Sequence, residues 1–183
     1  SEWLEATVYD GTSKYTMKFA RGKTVSTLRS VPCEHETGTT IRFKADSQIF
    51  ETLQYDYEIL ENRLQEQAFL NGGIKITLRD ERDPEDEIRE EIMHYEGGIK
   101  QFVSYLNRNK TALHPDVIYV EGSRDHSMAE VAMQYTDGYS ENLLSFANNI
   151  NTTEGGTHET GFKSALTKVI NDYGRKFGFL KDS

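Results

Sequence analysis

The sequence predicts an α+β fold, and three observations carry that prediction. From Ser1 to Asp46 the chain is built of short alternating runs between turn residues. The stretches Tyr55 to Phe69, Ile99 to Leu106 and Phe162 to Tyr173 instead repeat apolar residues at helical spacing. Glycine pairs stand where one pattern gives way to the other, as at Gly72-Gly73, Gly97-Gly98 and Gly155-Gly156.

In chain order, EWLEATVYDG and KYTMKFARG are alternating runs about a turn at Gly11 to Ser13. KTVSTLRSVP is a third candidate strand and TGTTIRFKAD a fourth. Tyr55 to Phe69 reads as a helix, with Leu60, Leu64 and Ala68 four apart. Asn71, Gly72 and Gly73 end it with left-handed cap chemistry, and such permissive backbone predicts a hinge over Phe69 to Gly73. Ile74 to Leu78 is a strand, the acidic run Asp80 to Glu91 with Pro84 is a hairpin tip, and Glu87 to Tyr95 returns. After Gly97 and Gly98, Ile99, Phe102, Val103 and Leu106 form one apolar stripe of a helix that Pro115 prevents from continuing, and Val117 to Val120 opens the next strand.

Met128 to Thr136 alternates cleanly, Asp137-Gly138 is the predicted hairpin turn, and Tyr139 to Asn149 is the predicted partner strand. Leu144, Phe146 and Asn148 share a face there. Beyond Gly155 and Gly156, with Thr157 as the predicted N-cap, Phe162, Leu166, Val169, Ile170 and Tyr173 recur on one side of a final helix. Four strands and two helices make a helix-backed sheet. Phe102, Leu106, Leu166, Val169, Ile170 and Tyr173 are expected to share its core, each contributing about 1.5 to 3 kcal/mol on burial before entropy is subtracted.

Composition narrows the function classes. The 183 residues suffice for one domain, or for one with part of another, and 36% hydrophobic with 28% charged residues fits a globular chain. No run approaches the ~18 consecutive apolar residues of a membrane span. A single cysteine, Cys33, excludes an internal disulfide framework and suits a reducing cytoplasm. The net charge of −9 argues against a general DNA-binding surface, although Asn107 to Lys110 and the helix carrying Lys163, Lys168, Arg175 and Lys176 are locally basic.

No metal site is predicted. His35, His94, His114, His126 and His158 are scattered and HExxH does not occur. His158 and Glu159 are neighbours on a helix, so they do not face each other as a catalytic pair, and His158 is expected to bond local backbone. Gly156, Gly161, Lys163 and Ser164 fall one residue from the P-loop pattern. The extra residue, Phe162, turns Lys163 by about 100° on a helix of ~3.6 residues per turn, so the glycines read as turn formers and Phe162 as a core residue.

SFANNINTTEGGTHETGFKSALTKVINDY resembles the B subunits of bacterial type IIA topoisomerases, DNA gyrase and topoisomerase IV. TGTTIRF (Thr37 to Phe43), RLQEQAFLNGGIKITLRDER (Arg63 to Arg82), HYEGGIKQFVSYLNRNK (His94 to Lys110) and VAMQYTDGYSENLLSF (Val131 to Phe146) agree in order and spacing, so the resemblance covers essentially the whole chain. It implies that residues 1–52 are the C-terminal part of a GHKL-type ATPase domain, 53–70 a connecting helix, and 71–183 a transducer domain whose C-terminal end is missing. It also implies a left-handed βαβ crossover, against the usual right-handed rule.

In such a family the transducer relays nucleotide state to a DNA gate. The intact protein uses ATP and Mg2+ and assembles with the A subunit and a second B subunit, as A2B2, on DNA. The residues that carry the catalytic chemistry are implied to lie outside Ser1 to Ser183, so no catalytic residue, metal ligand or bound cofactor is expected in this segment. Thr39 is the one position carried over, as the threonine at the floor of the adenine pocket; taken alone it also fits an ordinary β-branched strand residue. The family's frequent arginine near Asp10 is absent. The resemblance implies part of the ATPase subunit of DNA gyrase, with two alternatives: the topoisomerase IV B subunit, or a non-catalytic binding or dimerisation module on a related ATPase-superfamily fold.

Overall fold

A computed structural model describes residues 1–35, 37–82 and 88–181, and the chain divides into two compact units, Ser1–Asp56 and Tyr57–Ser183. The first unit is an antiparallel sheet of β1 (Trp3–Tyr9), β2 (Ser13–Ala20), β3 (Lys23–Thr24), β4 (Arg29–Pro32) and β5 (Gly38–Lys44), in the order β3-β2-β1-β5 with β4 also on β2. The predicted third strand is thus two short ones. Between them the Ser26 hydroxyl accepts the Lys18 amide at 2.9 Å, taking the place of a strand carbonyl. The β1–β2 turn is held by the Asp10 carboxylate, which accepts the amides of Thr12 and Ser13 at 2.9 and 2.8 Å while Gly11 takes φ 97°.

Register sorts this sheet into two unlike faces. Leu4, Ala6 and Val8 of β1 stand opposite Phe19, Met17 and Tyr15 of β2 and opposite Phe43, Ile41 and Thr39 of β5. The other face is polar, with Glu5 paired to Lys18 at 2.9 Å. Below the strands, Asp46 is 1% exposed and accepts Arg21 Nε at 2.7 Å and the Gln48 amide at 3.0 Å. That pair fixes Arg21 in a left-handed turn at φ 45°.

The second unit contains α1 (Tyr57–Leu70), β6 (Lys75–Asp80), β7 (Arg89–His94), α2 (Gly98–Leu106), β8 (Ile118–Arg124), β9 (Ser127–Met133), β10 (Phe146–Ala147), β11 (Ile150–Asn151) and α3 (Thr157–Lys176). Its centre is Phe69, fully buried, with ring centroids 3.6 Å from Tyr95, 4.8 Å from Phe102 and 5.4 Å from Tyr105. Ala68 and Met93 complete this core, which places α1 against α2 and against the β6–β7 hairpin. Arg89 lies over the buried Tyr57 ring at 3.7 Å.

The α+β class holds, with antiparallel sheets and three helices among the described residues. The strands behind the expected four-stranded sheet ladder as two hairpins, β6–β7 and β8–β9, and no ladder joins them among the described residues. The turn expected at Asp137-Gly138 is at Asp125-His126, where both residues have positive φ, 48° and 70°, as a tight hairpin turn of two residues requires. The chain after β9 instead returns to residues 111–113: Leu113 donates to the Tyr135 carbonyl and Asp137 to that of Thr111. That pairing leaves Tyr139 to Ser145 outside any strand. The acidic tip expected around Pro84 falls on residues 83–87, outside those described.

Two further expectations are corrected. Phe69 to Gly73 is not a loose joint, because Phe69 is locked in the core and the Asn71, Gly73 and Ile74 amides donate to the carbonyls of Gln67, Tyr95 and Asn71. The apolar stripe of α3 does not share the Phe102 core: Val169, Ile170 and Tyr173 are 64%, 50% and 56% exposed, and Leu106 and Leu166 are half-buried. At the end of α3, Leu180 folds back over Gly174, whose carbonyl accepts the Phe179 and Leu180 amides.

Candidate functional site

Strand β5 forms from a β-branched and aromatic alternation, and its pairing with β1 puts Thr39 opposite Val8 on the apolar face, in line with Ile41 and Phe43. Thr39 therefore presents its hydroxyl on a largely apolar face, which also carries Tyr15 across Val8. Such a position suits one directional hydrogen bond to a flat ligand held against apolar side chains. Asp10, next to the β1–β2 turn, is held down to about 2 by the Thr12 and Ser13 amides and the Thr12 hydroxyl, so it is a structural acceptor.

The second motif of interest, from Ser145 to Lys163, is a strand-to-helix joint. Asn148 and Asn149 take φ 48° and 63° and turn β10 into β11, which brings Ser145 and Thr152 side by side just past the ladder. Ser145 Oγ lies 2.6 Å from Thr152 Oγ1 and 3.0 Å from Glu159 Oε2, and Thr152 Oγ1 lies 3.2 Å from His158 Nε2. Asn149 ties the turn to α1, its amide group donating to Asn71 Oδ1 at 2.8 Å while its carbonyl accepts Gln67 Nε2 at 2.8 Å.

A phosphate loop does not form here. Lys163 Nζ is 2.9 Å from Glu159 and 3.5 Å from Glu141, and the Ser164 hydroxyl donates to the Thr160 carbonyl, so both P-loop side chains are used within the joint and its helix. Ion pairing raises the Lys163 pKa through the Glu159 bond and lowers that of Glu159 through Lys163 and then Ser145. Thr157 is the first residue of α3, not its cap, and His158 bonds a hydroxyl instead of backbone. Sequence reading passed over Ser145 and Thr152. Their signal was two hydroxyl residues placed symmetrically about Asn148-Asn149.

Among the described residues no group of three His, Cys, Asp or Glu side chains could hold a metal ion, and Thr39 and the Ser145 cluster share no element. These residues by themselves do not fit a magnesium–nucleotide site. No helix among the described residues is long and apolar enough to cross a membrane.

Comparison with known proteins places this geometry in context. The family model described as DNA gyrase B matches residues 98–183. The chain is 53% identical over 184 residues to the DNA gyrase B protein of Clostridium acetobutylicum, and 50% identical over 183 residues to that of Staphylococcus aureus. Each alignment takes in 100% of this chain, which spans 28% of the length of those relatives. The fold matches the 43K ATPase domain of Thermus thermophilus gyrase B, solved with an aminocoumarin, at TM-score 0.82 and 33% identity over 100% of this chain and 50% of that one. Gyrase B of Myxococcus xanthus, at TM-score 0.84 and 24% identity over 95% of this chain and 50% of that one, shares the fold. Half of its residues are identical to gyrase B proteins from end to end and its fold matches a gyrase B ATPase structure, so this chain is similar throughout its length to a part of the DNA gyrase B proteins.

Proposed function

We propose that this chain serves DNA gyrase, a type II topoisomerase, as the part of its ATPase subunit that carries nucleotide state from the ATP site toward the DNA gate. The observation that carries the reading is end-to-end identity of 50% or more with relatives named as DNA gyrase B, which favours gyrase over topoisomerase IV. In this reading the sheet of Ser1–Asp56 is the C-terminal part of a GHKL-type ATPase domain, and Tyr57–Ser183 belongs to the transducer. ATP with Mg2+, the A subunit, a second B subunit and DNA are the ligands and partners of the whole cytoplasmic enzyme.

Thr39 is the residue of this chain assigned to adenine. Its place beside Ile41 and Phe43 supports that role, because a purine needs apolar contact on its faces and hydrogen bonds at its edge. One neutral hydrogen bond contributes about 0.5 to 1.5 kcal/mol net, whereas micromolar affinity requires about 8 kcal/mol. The chain alone should therefore show no saturable binding of a non-hydrolysable ATP analogue below millimolar in calorimetry, while Thr39→Val in the whole protein should weaken binding by roughly threefold to tenfold. Micromolar binding by the chain alone, abolished by Lys163→Ala and untouched by Thr39→Val, would overturn the assignment.

A further inference from the structure

The polar joint between β10–β11 and α3 has more contacts than it has protons, and counting them fixes their direction. A hydroxyl donates one hydrogen bond, and a carboxylate only accepts. Glu159 is held ionised by Lys163 at 2.9 Å, so the 3.0 Å contact requires Ser145 to be the donor. A charge-assisted bond outranks a neutral one, which assigns the Ser145 proton to Glu159. The 2.6 Å contact between the two hydroxyls then leaves Thr152 as donor to Ser145. The Ser145 carbonyl, 2.9 Å from the Thr152 hydroxyl, loses nothing essential, since it already accepts the Thr152 amide at 2.8 Å. With the Thr152 proton committed, the 3.2 Å contact to His158 Nε2 needs its proton from the imidazole.

We propose that His158, Thr152, Ser145 and Glu159 form one directional hydrogen-bonded chain, from His158 Nε2–H through Thr152 and Ser145 to the Glu159 carboxylate, and that this clasp aims α3 from the β10–β11 hairpin. Two features fit a clasp built for this purpose. A Cβ on Gly156 would stand 2.7 Å from the His158 ring, and one on Gly155, at φ 74°, would stand 3.3 Å from Glu159 Oε2, so the double glycine clears the space that both ends of the chain occupy. The apolar stripe beyond it, at Val169, Ile170 and Tyr173, is half or more exposed, which leaves the polar joint as the fixed end of the helix. None of this depends on the nucleotide role of Thr39.

The test uses the 183-residue chain in solution. Amide exchange in the first turns of α3, Thr160 to Ser164, is measured together with the His158 Nε2–H resonance. Thr152→Val, which keeps the shape and removes the proton, should speed exchange there by roughly tenfold and erase the protected imidazole proton, with β8–β9 unchanged. Thr153→Val should change neither. If Thr152→Val also releases β8–β9, the comparison of Glu159→Gln with Glu159→Leu decides, because glutamine still accepts from Ser145 and leucine does not. Glu159→Gln should then keep the His158 signal and Glu159→Leu should lose it. A His158 found protonated at Nδ1 only, or equal behaviour of the glutamine and leucine variants, overturns the proposal.

Discussion

At Asp10, two backbone amides and a hydroxyl converge on one carboxylate that remains open to water. These donors favour the charged form, so its pKa falls from 3.8 to about 2. Because the folded value is the lower one, the turn's contribution is complete above the unfolded value and is lost as pH falls through the folded one. An NMR titration following the Thr12 and Ser13 amides should give a midpoint near 2, and a midpoint near 3.8 would mean that the carboxylate does not hold them. Phe69 makes the opposite kind of contribution, through contact area alone. Removing a ring stacked on Tyr95 and Phe102 leaves a cavity that their shared core closes poorly, so Phe69→Ala should destabilise Tyr57–Ser183 by about 3 to 5 kcal/mol in urea unfolding. A loss below about 1 kcal/mol would show that the site collapses freely.

Among elements, the α1–β6 connection behaves as a fastened corner. The Asn71, Gly73 and Ile74 amides should exchange as slowly as those of β6 and β7, and fast exchange there would restore the hinge that Asn71-Gly72-Gly73 suggests. Helices were legible because their period is local: Leu60, Leu64 and Ala68 mark α1, and Phe102 with Leu106 marks α2, without reference to any neighbour. Strand partners were not, since a turn signal such as Asp137-Gly138 competes with every other pairing in the unit. His114, which accepts the Tyr135 amide at its Nε2 and whose carbonyl accepts Gln134 Nε2, draws that segment elsewhere. The stripe of α3 was legible as a stripe, but its exposure is a tertiary fact that spacing does not contain. Of the site, Thr39 and the double glycine stood out in the sequence. The Ser145–Thr152 pair did not, because their adjacency depends on the left-handed turn at Asn148-Asn149.

For the whole molecule, assembly follows from which surfaces are large enough to hold a copy. A convincing dimer needs more than about 1,000 Å² of buried surface with good complementarity. The chain is expected to sediment as a monomer or a weak dimer in dilute low-salt buffer, and a tight nanomolar dimer in sedimentation velocity would contradict this. The sheet of Ser1–Asp56 adds a consequence for handling. Its two faces answer to opposite salts: chloride screens the Glu5–Lys18 side, while sulfate drives Val8, Ile41 and Phe43 out of water. Salting-out should therefore begin on this face, and Ile41→Thr or Phe43→Thr should raise the ammonium sulfate concentration at which the chain precipitates.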